Sequence, residues 1–398
     1  MPESLSRLHN EGCLMSLSRG ELPKWVDYGV IPLLNLAAAF LVAGLVVLAI
    51  GENPLEAVEL MLFGAFGYGE GLGFTLYYAT NFIFTGLAVA VAFHAGLFNI
   101  GGEGQAYVAG LGVAIVCLAM DQFMPWWITA PFALIAGAAF GAVWAFIPGY
   151  LQAKRGSHIV ITTIMFNFIG AALMTYMLVN VFRQQGAMAP ESRTFEEGGR
   201  IPRIDWLFDW FGANLGGAQT NISLFLALIM AFAVWVLIWR TRLGYRLRTL
   251  GQNPTAAVYA GMKPPKLIMI AMAISGGLAG MMAINEIMGV HGRLILEFAG
   301  GAGFVGIAVA LMGRAHPVGI VLAALLFGAL YQGGAELAFS MPSITRDMII
   351  AIQGLVILFA GALEGLFRPA IVGFFNAIYD RRAAAAAARR NSPQAPAE

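Results

Sequence analysis

Long runs of apolar residues, broken by short polar or glycine-rich connections, dominate the chain. A helix that crosses the hydrocarbon core of a bilayer needs roughly 20 such residues. Ten stretches approach that length: about 28–50, 74–95, 99–120, 126–148, 158–181, 221–239, 267–289, 299–312, 317–338 and 347–365. The pattern predicts an all-α integral membrane protein of about ten transmembrane helices. The eighth stretch is short and glycine-rich, so a half-helix or re-entrant segment fits it as well as a span. Two connections are long. Residues 182–220 hold Glu191, Glu196, Glu197, Asp205 and Asp209 together with Trp206 and Trp210. That mixture predicts a short interfacial helix, because tryptophan is favoured at the headgroup level. Residues 240–266 hold six basic residues and no acidic one.

The basic residues set the expected direction. With the N-terminus in the cytoplasm, seventeen Lys and Arg fall on cytoplasmic segments and six on outside segments. Lys and Arg accumulate on cytoplasmic loops, and an even number of spans returns the chain to its starting side. Both termini are therefore expected in the cytoplasm. The organisation that follows is a polar segment 1–27, a transmembrane domain 28–370 and a cytoplasmic tail 371–398. The transmembrane domain includes the outside loop 182–220 and the cytoplasmic loop 240–266. The tail, rich in alanine, arginine and proline, is expected to be largely disordered.

Composition narrows the function. Of 398 residues, 59% are hydrophobic and 11% charged, against about 25% charged in soluble chains. A soluble enzyme, a disordered chain and a disulfide scaffold are excluded. A net charge of +1 gives no footprint for nucleic acid. Cys13 lies in a polar leader and Cys117 in an apolar run, so both read as unpaired. The first 27 residues contain no apolar core of a signal peptide, so neither cleavage nor a lipoprotein site at Cys13 is expected.

Glycine marks two breaks, Gly96, Gly101, Gly102 and Gly104 after the second span, and Gly300, Gly301, Gly303 and Gly306 after the seventh. The breaks lie five spans apart, and an odd offset reverses direction across the bilayer. Paired interruptions in inverted halves point to a transport pathway; close helix packing is the alternative. No catalytic or metal-ligating set accompanies them. The chain has no Gly-Lys pair and hence no phosphate-cradling loop of the Walker type,. Its five histidines, His9, His94, His158, His291 and His316, are scattered, and no nucleophile elbow occurs.

Acids are sparse in the apolar stretches. Glu103 and Glu286 lie within them, whereas Glu336 and Glu364 lie near predicted span ends. An ionised carboxylate at the bilayer centre costs roughly 2.5–3.5 kcal/mol, so Glu103 needs partners, a proton or water. The glycine run before it is where a helix N-terminus belongs, and a carboxylate there bonds free backbone amides. Direct contact with a substrate is the other role open to it.

The basic loop is tightly punctuated: TRLGYRLRTLGQNPTAAVYAGMKPPKL. Asn253-Pro254 has the form of an N-cap followed by proline at the first helical position. Thr255 to Tyr259 then form one or two turns. Gly261 stops them, and Pro264-Pro265 keep them from running into the next span. A short rigid helix flanked by cations suits a docking element for a soluble partner. A helix lying on the anionic inner leaflet is the alternative.

Five segments carry a resemblance: GLFNIGGEGQ at 96–105, ITTIMFNFI at 161–169, RTRLGYRLRTLGQNPTAAVYAGM at 240–262, ISGGLAGMMA at 274–283 and GFVGIAVALMGRAHPVGIVLAALLFGAL at 303–330. In this order they resemble the permease subunits of bacterial ABC importers for branched-chain amino acids, simple sugars and nucleosides. They are most similar to the nucleoside branch, which works with a binding protein of the BMP type. The resemblance covers about residues 30–370. It implies a multi-pass permease of the bacterial inner membrane with an inverted-repeat core. It makes the stretch around Gln252, Asn253, Pro254, Ala256, Ala257, Tyr259 and Gly261 the coupling helix that enters a groove of a separate ATPase subunit. ATP and Mg would be bound there, with no cofactor in this chain. A second related permease, in a heterodimer, would share the pathway. An extracytoplasmic binding protein would deliver the small-molecule substrate, and lipid would surround the whole. His94 stands where relatives are expected to carry arginine or another basic residue.

Nucleosides suit the side chains within the spans, since a base offers a flat face and amide-like edges, and ribose offers hydroxyls. The pathway candidates are Phe98, Asn99, Glu103, Gln105, Phe166, Asn167, Asn285 and Phe304. Asparagine is costly in lipid, so it faces another helix or a pathway. The same machine for a simple sugar or branched-chain amino acid remains open, as does an autonomous channel or secondary carrier.

Overall fold

A computed structural model describes residues 23, 26, 30–184, 186, 188–210, 214–358, 369–377 and 380. Cys13, Glu364, the end of the tenth apolar stretch and nearly all of segments 1–27 and 381–398 lie outside the described residues. The chain forms two compact units, residues 1–51 with 350–398, and residues 52–349. In the first, helix α1 (Ile31–Ile50) ends at Gly51 in the left-handed conformation, and residues 369–377 are helical.

The second unit contains the remaining elements. A short helix α2 (Pro54–Leu62) leads through a π-turn at Phe63–Gly67 to α3 (Gly69–His94). Next come α4 (Gly102–Met120), α5 (Trp126–Tyr150) and α6 (Ile159–Met177). After a long connection containing the short helix α7 (Asp205–Asp209) follow α8 (Ser223–Arg240), α9 (Arg242–Gln252) and α10 (Pro254–Tyr259). Then come α11 (Pro264–Ala283), which continues as a π-helix to His291, α12 (Ala302–Met312) and α13 (Pro317–Ser340). Helix α14 (Arg346–Ile357) carries the chain on from this unit into the first.

Among the described residues, eight helices are long and apolar enough to cross a membrane: α1, α3, α4, α5, α6, α8, α11 and α13. The eighth apolar stretch yields only α12, whose 11 residues extend about 16 Å, half of a roughly 30 Å hydrocarbon core. This is the half-helix that its length and glycines allow. Helix α2 falls in a segment expected to be a plain connection. It carries its own start signal: the Asn53 side chain accepts from Leu55 N at 3.0 Å, and Pro54 occupies the first turn,.

Helices α3, α4 and α11 form the centre of the unit. Their spans are 78, 72 and 67% buried, against 22 to 28% for α5, α6 and α8, which turn their apolar sides to lipid,. Small residues let the central helices close up. A Cβ on Gly141 of α5 would collide with the carbonyl oxygen of Gly276 on α11, so the two backbones are in contact. Helices α3 and α11 run antiparallel. Near one end Tyr77 donates to the Glu286 carboxylate at 2.7 Å; eleven residues along α3, the Ala88 carbonyl accepts from Ser275, eleven residues back along α11.

The loop at 182–220 contains the short helix that its acids and tryptophans predict, α7. A single 3-10 turn at Glu197–Gly199 precedes it, and distant contacts anchor the loop. Arg193 grips Asp121 with two hydrogen bonds of 2.7 and 2.8 Å. Backbone bonds from Ser192 to Leu294, Phe195 to Gly292 and Ile201 to Met288 sew it along the end of the π-helix. Trp206 is exposed, as a headgroup-level side chain would be.

Candidate functional site

The basic loop is two helices in series. Helix α9 was not anticipated: Thr241 caps it, accepting from Gly244 N at 3.0 Å, and Leu247 and Leu250 are buried beneath its basic outer face. Asn253, extended at φ −156°, ends α9 and caps α10, accepting from Ala256 N at 3.0 Å. Pro254 opens α10, and the N–H groups of Gly261 and Met262 close on the carbonyls of Val258 and Ala257. Gly261 has φ +75°, a conformation that glycine adopts at little cost. Of the seven residues singled out here, only Ala257 is buried, as the anchor. Gln252, Asn253, Pro254, Ala256, Tyr259 and Gly261 are exposed, Tyr259 at 88%.

This element abuts the first glycine break. A Cβ on Gly251 would strike the His94 carbonyl oxygen. His94 Nε2 lies 3.0 Å from the carbonyl of Ala315, just past α12, and its ring packs on Trp239, which also meets His316. The ends of α3, α8 and α12 are thus gathered beside α9.

The break itself is held by amide side chains. Asn99 donates to Ser275 Oγ at 2.8 Å and to Gln105 Oε1 at 3.1 Å, and accepts from Gly101 N at 2.9 Å. Asn167 accepts from Gly104 N and donates to the Ile100 carbonyl, both at 2.9 Å. Asn99, Gln105 and Asn167 are all buried. Their bonds satisfy a non-helical backbone packed among apolar helices.

Glu103 does the same for the second break. One carboxylate oxygen accepts from Gly301 N, the other from Gly303 N, each at 2.9 Å, and the Tyr107 hydroxyl donates at 3.1 Å. The expected role at a helix N-terminus is present, but the helix is α12 rather than Glu103's own. The first turns of α4 and α12 meet here, and two positive dipole ends share one carboxylate.

Asn285 sits elsewhere, toward the other end of α3. It donates to Asn81 Oδ1 at 2.8 Å and accepts from Asn221 at 2.7 Å and from Ser223 at 2.8 Å. Glu286 adjoins it, with Tyr77, Asn81 and His291 as partners. Phe98 and Phe166 are half-buried, packing on Phe93 and Trp144 respectively, and Phe304 is exposed at the start of α12. The eight pathway candidates therefore divide into a cluster at the crossed breaks, with Phe166 and Asn167 on α6 beside it, and the separate Asn285. Sequence reasoning missed Tyr77, Asn81, Thr163 and Ser275, which complete these networks. Polar residues inside an apolar helix were the available signal, and hydropathy averaging hides single ones.

Outside the spans, burial raises the Asp121 carboxyl, but the Arg193 guanidinium and the Glu196 N–H outweigh it and hold it below the usual carboxylate range. Arg193 is correspondingly raised by Asp121.

The family model described as "Branched-chain amino acid transport system / permease component" matches residues 71–361. The guanosine ABC transporter permease protein NupP of Bacillus subtilis is 36% identical over 85% of this chain and 94% of its own length. The glucose ABC transporter permease protein TsgB13 of Haloferax volcanii is 33% identical over 92% of this chain and 94% of its own. The nucleoside ABC transporter permease protein NupB of Lactococcus lactis is 32% identical over 80 and 85%. With its crossed glycine breaks and eight span-length helices, the chain is a multi-pass membrane protein that belongs to the branched-chain amino acid transport system permease family, a permease of an ABC transporter.

Proposed function

We infer that this permease imports nucleosides across a bacterial inner membrane and is driven by a separate ATPase subunit that binds ATP and Mg. The observation that carries the reading is α10. It is capped at both ends, anchored by the single buried residue Ala257, and presents Val258 and Tyr259 to solvent. A two-turn helix that buries almost nothing of its own has its outer face free for a partner's groove. Both termini and α10 lie in the cytoplasm on this reading.

The route of coupling follows the contacts. A movement of α10 is delivered through Gly251 to His94 and Gly96, then through the break to Glu103 and the start of α12. ATP shifts the balance between outward- and inward-open states only through its different affinities for them. The permease performs no chemistry on its cargo. Phe304 follows Gly303, whose amide Glu103 holds, and its exposed flat face contributes to the pathway. An extracytoplasmic BMP-type protein delivers substrate. A second related permease completes the channel, a view supported by two Lactococcus lactis nucleoside permeases, NupB and NupC, that both resemble this chain.

A simple sugar is the second reading, favoured by the similarity to a glucose permease. The deciding experiment is uptake of labelled guanosine, other nucleosides and glucose in cells deleted for the gene, complemented with wild type or Gly261→Arg, with membrane levels checked. Nucleoside uptake restored by wild type alone is the expected result. Restoration by both versions overturns the coupling assignment and favours an autonomous carrier. Loss of glucose uptake alone moves the chain to the sugar branch.

A further inference from the structure

Between the ends of α8 and α11 lies an open cavity of about 1000 Å³. Arg240, Arg242, Arg246, Arg248, Lys263 and Lys266 line it, with no acidic side chain among them. Among the described residues none of the six has a carboxylate partner. Arg248 Nε is buried without a hydrogen-bond acceptor. Arg240 is held in place over the Trp235 ring at 5.1 Å. Six like charges around one cavity repel one another, and an anion among them relieves that repulsion.

The cavity's level selects the anion. Helix α8 ends at Arg240 and α11 begins at Pro264, so the cavity opens where two spans leave the hydrocarbon core. Its remaining wall includes Trp239, Leu267 and Ile270, an apolar floor that a free ion would not use. We propose that this cavity binds the phosphate headgroup of an anionic glycerophospholipid, with the first methylenes of its chains against Leu267 and Ile270. Basic pockets between spans on the membrane's positive side suit such headgroups. The volume is at the upper end of the roughly 300–1,000 Å³ that small-molecule sites occupy. Ala260, Gly261 and Met262 form part of the same wall. The bound lipid therefore fastens the end of α10 to the leaflet, and lipid composition sets how firmly that helix is seated.

The test uses the full chain with whatever subunits co-purify, placed in nanodiscs of phosphatidylcholine with or without phosphatidylglycerol. Lipid retained after detergent release is read by native mass spectrometry. The wild type is expected to retain phosphatidylglycerol over phosphatidylcholine. Combining Arg242→Gln, Arg246→Gln and Lys263→Gln lowers that retention by at least about tenfold. Arg242→Lys with Arg246→Lys, which keeps the charge, retains it and serves as the folding control. Equal retention by wild type and the triple Gln variant overturns the proposal. So does displacement of the lipid by inorganic phosphate alone, which would make this a site for a free anion. Loss of a co-purifying subunit in the triple variant, with lipid retention intact, assigns the cavity to an acidic protein partner instead.

Discussion

Gly251, the penultimate residue of α9, lies directly against Gly96 in the break after α3: a Cβ on Gly96 would stand 3.1 Å from the Gly251 Cα. A side chain on Gly251 would run into the carbonyl of His94 and the N–H of Gly96. Backbone cannot move aside as a side chain can. Gly251→Val is therefore expected to destabilise by about 1–3 kcal/mol and to separate α9 from the break. Thermal unfolding in detergent and nucleoside uptake should both fall. Normal stability and uptake in this variant would remove the contact from the coupling route.

Tyr259 gives the opposite kind of test. It is 88% exposed, so Tyr259→Ala has almost no packing to lose and should change stability by no more than about 0.5 kcal/mol. Uptake and ATPase activity stimulated by the permease should nevertheless drop by at least about tenfold if its ring is a central contact for a partner. The pairing of unchanged unfolding with lost uptake distinguishes a docking residue from a structural one.

The sequence made α10 legible because its signals are local: Asn253 as cap, Pro254 at the first position and Gly261 in a left-handed turn. The same signal at Asn53-Pro54 opens α2, in a segment too short in apolar residues to register as a span. Helix α9 was hidden for another reason. Its basic residues look like a solvated loop, and only the burial of Leu247 and Leu250 reveals one packed side. The two glycine breaks were visible as paired interruptions. That they touch, and that Glu103 serves α12 rather than α4, depends on contacts across some two hundred residues, which no local pattern encodes. The anchoring of loop 182–220 rests likewise on distant partners, Asp121 for Arg193 and the backbone at Met288, Gly292 and Leu294.

Glu103 is expected to be held by its oxygens rather than by size. They accept from Gly301 N, at the cap of α12, and from Gly303 N in its first turn, at 2.9 Å each. Glu103→Gln keeps one acceptor and turns a donor toward the other N–H, whereas Glu103→Leu leaves both amides unpaired at about 1–3 kcal/mol each. Unfolding temperature should fall in the order wild type, Gln, Leu, with the loss for Leu roughly twice that for Gln. A Leu variant as stable as wild type would mean that water or a shifted backbone serves those amides.

Asp121 supplies a pH dependence whose sign is fixed by its partners. Arg193 and the Glu196 N–H hold the folded carboxyl below its ordinary range, against the upward push of burial. A group lowered in the folded state stabilises fully above its unfolded value, about 3.9 for aspartate, and that stability is lost as pH falls through the lower folded value. The loop it anchors, from Ser192 to Ile201, should loosen over that acid range. Unfolding temperatures measured between about pH 7 and pH 3 should show wild type far above Asp121→Asn at neutral pH, with the two curves converging on acidification. Protease sensitivity of the loop should rise in parallel. Curves that stay a constant distance apart would mean that Asp121 matters for its shape and hydrogen bonds alone, not for its charge.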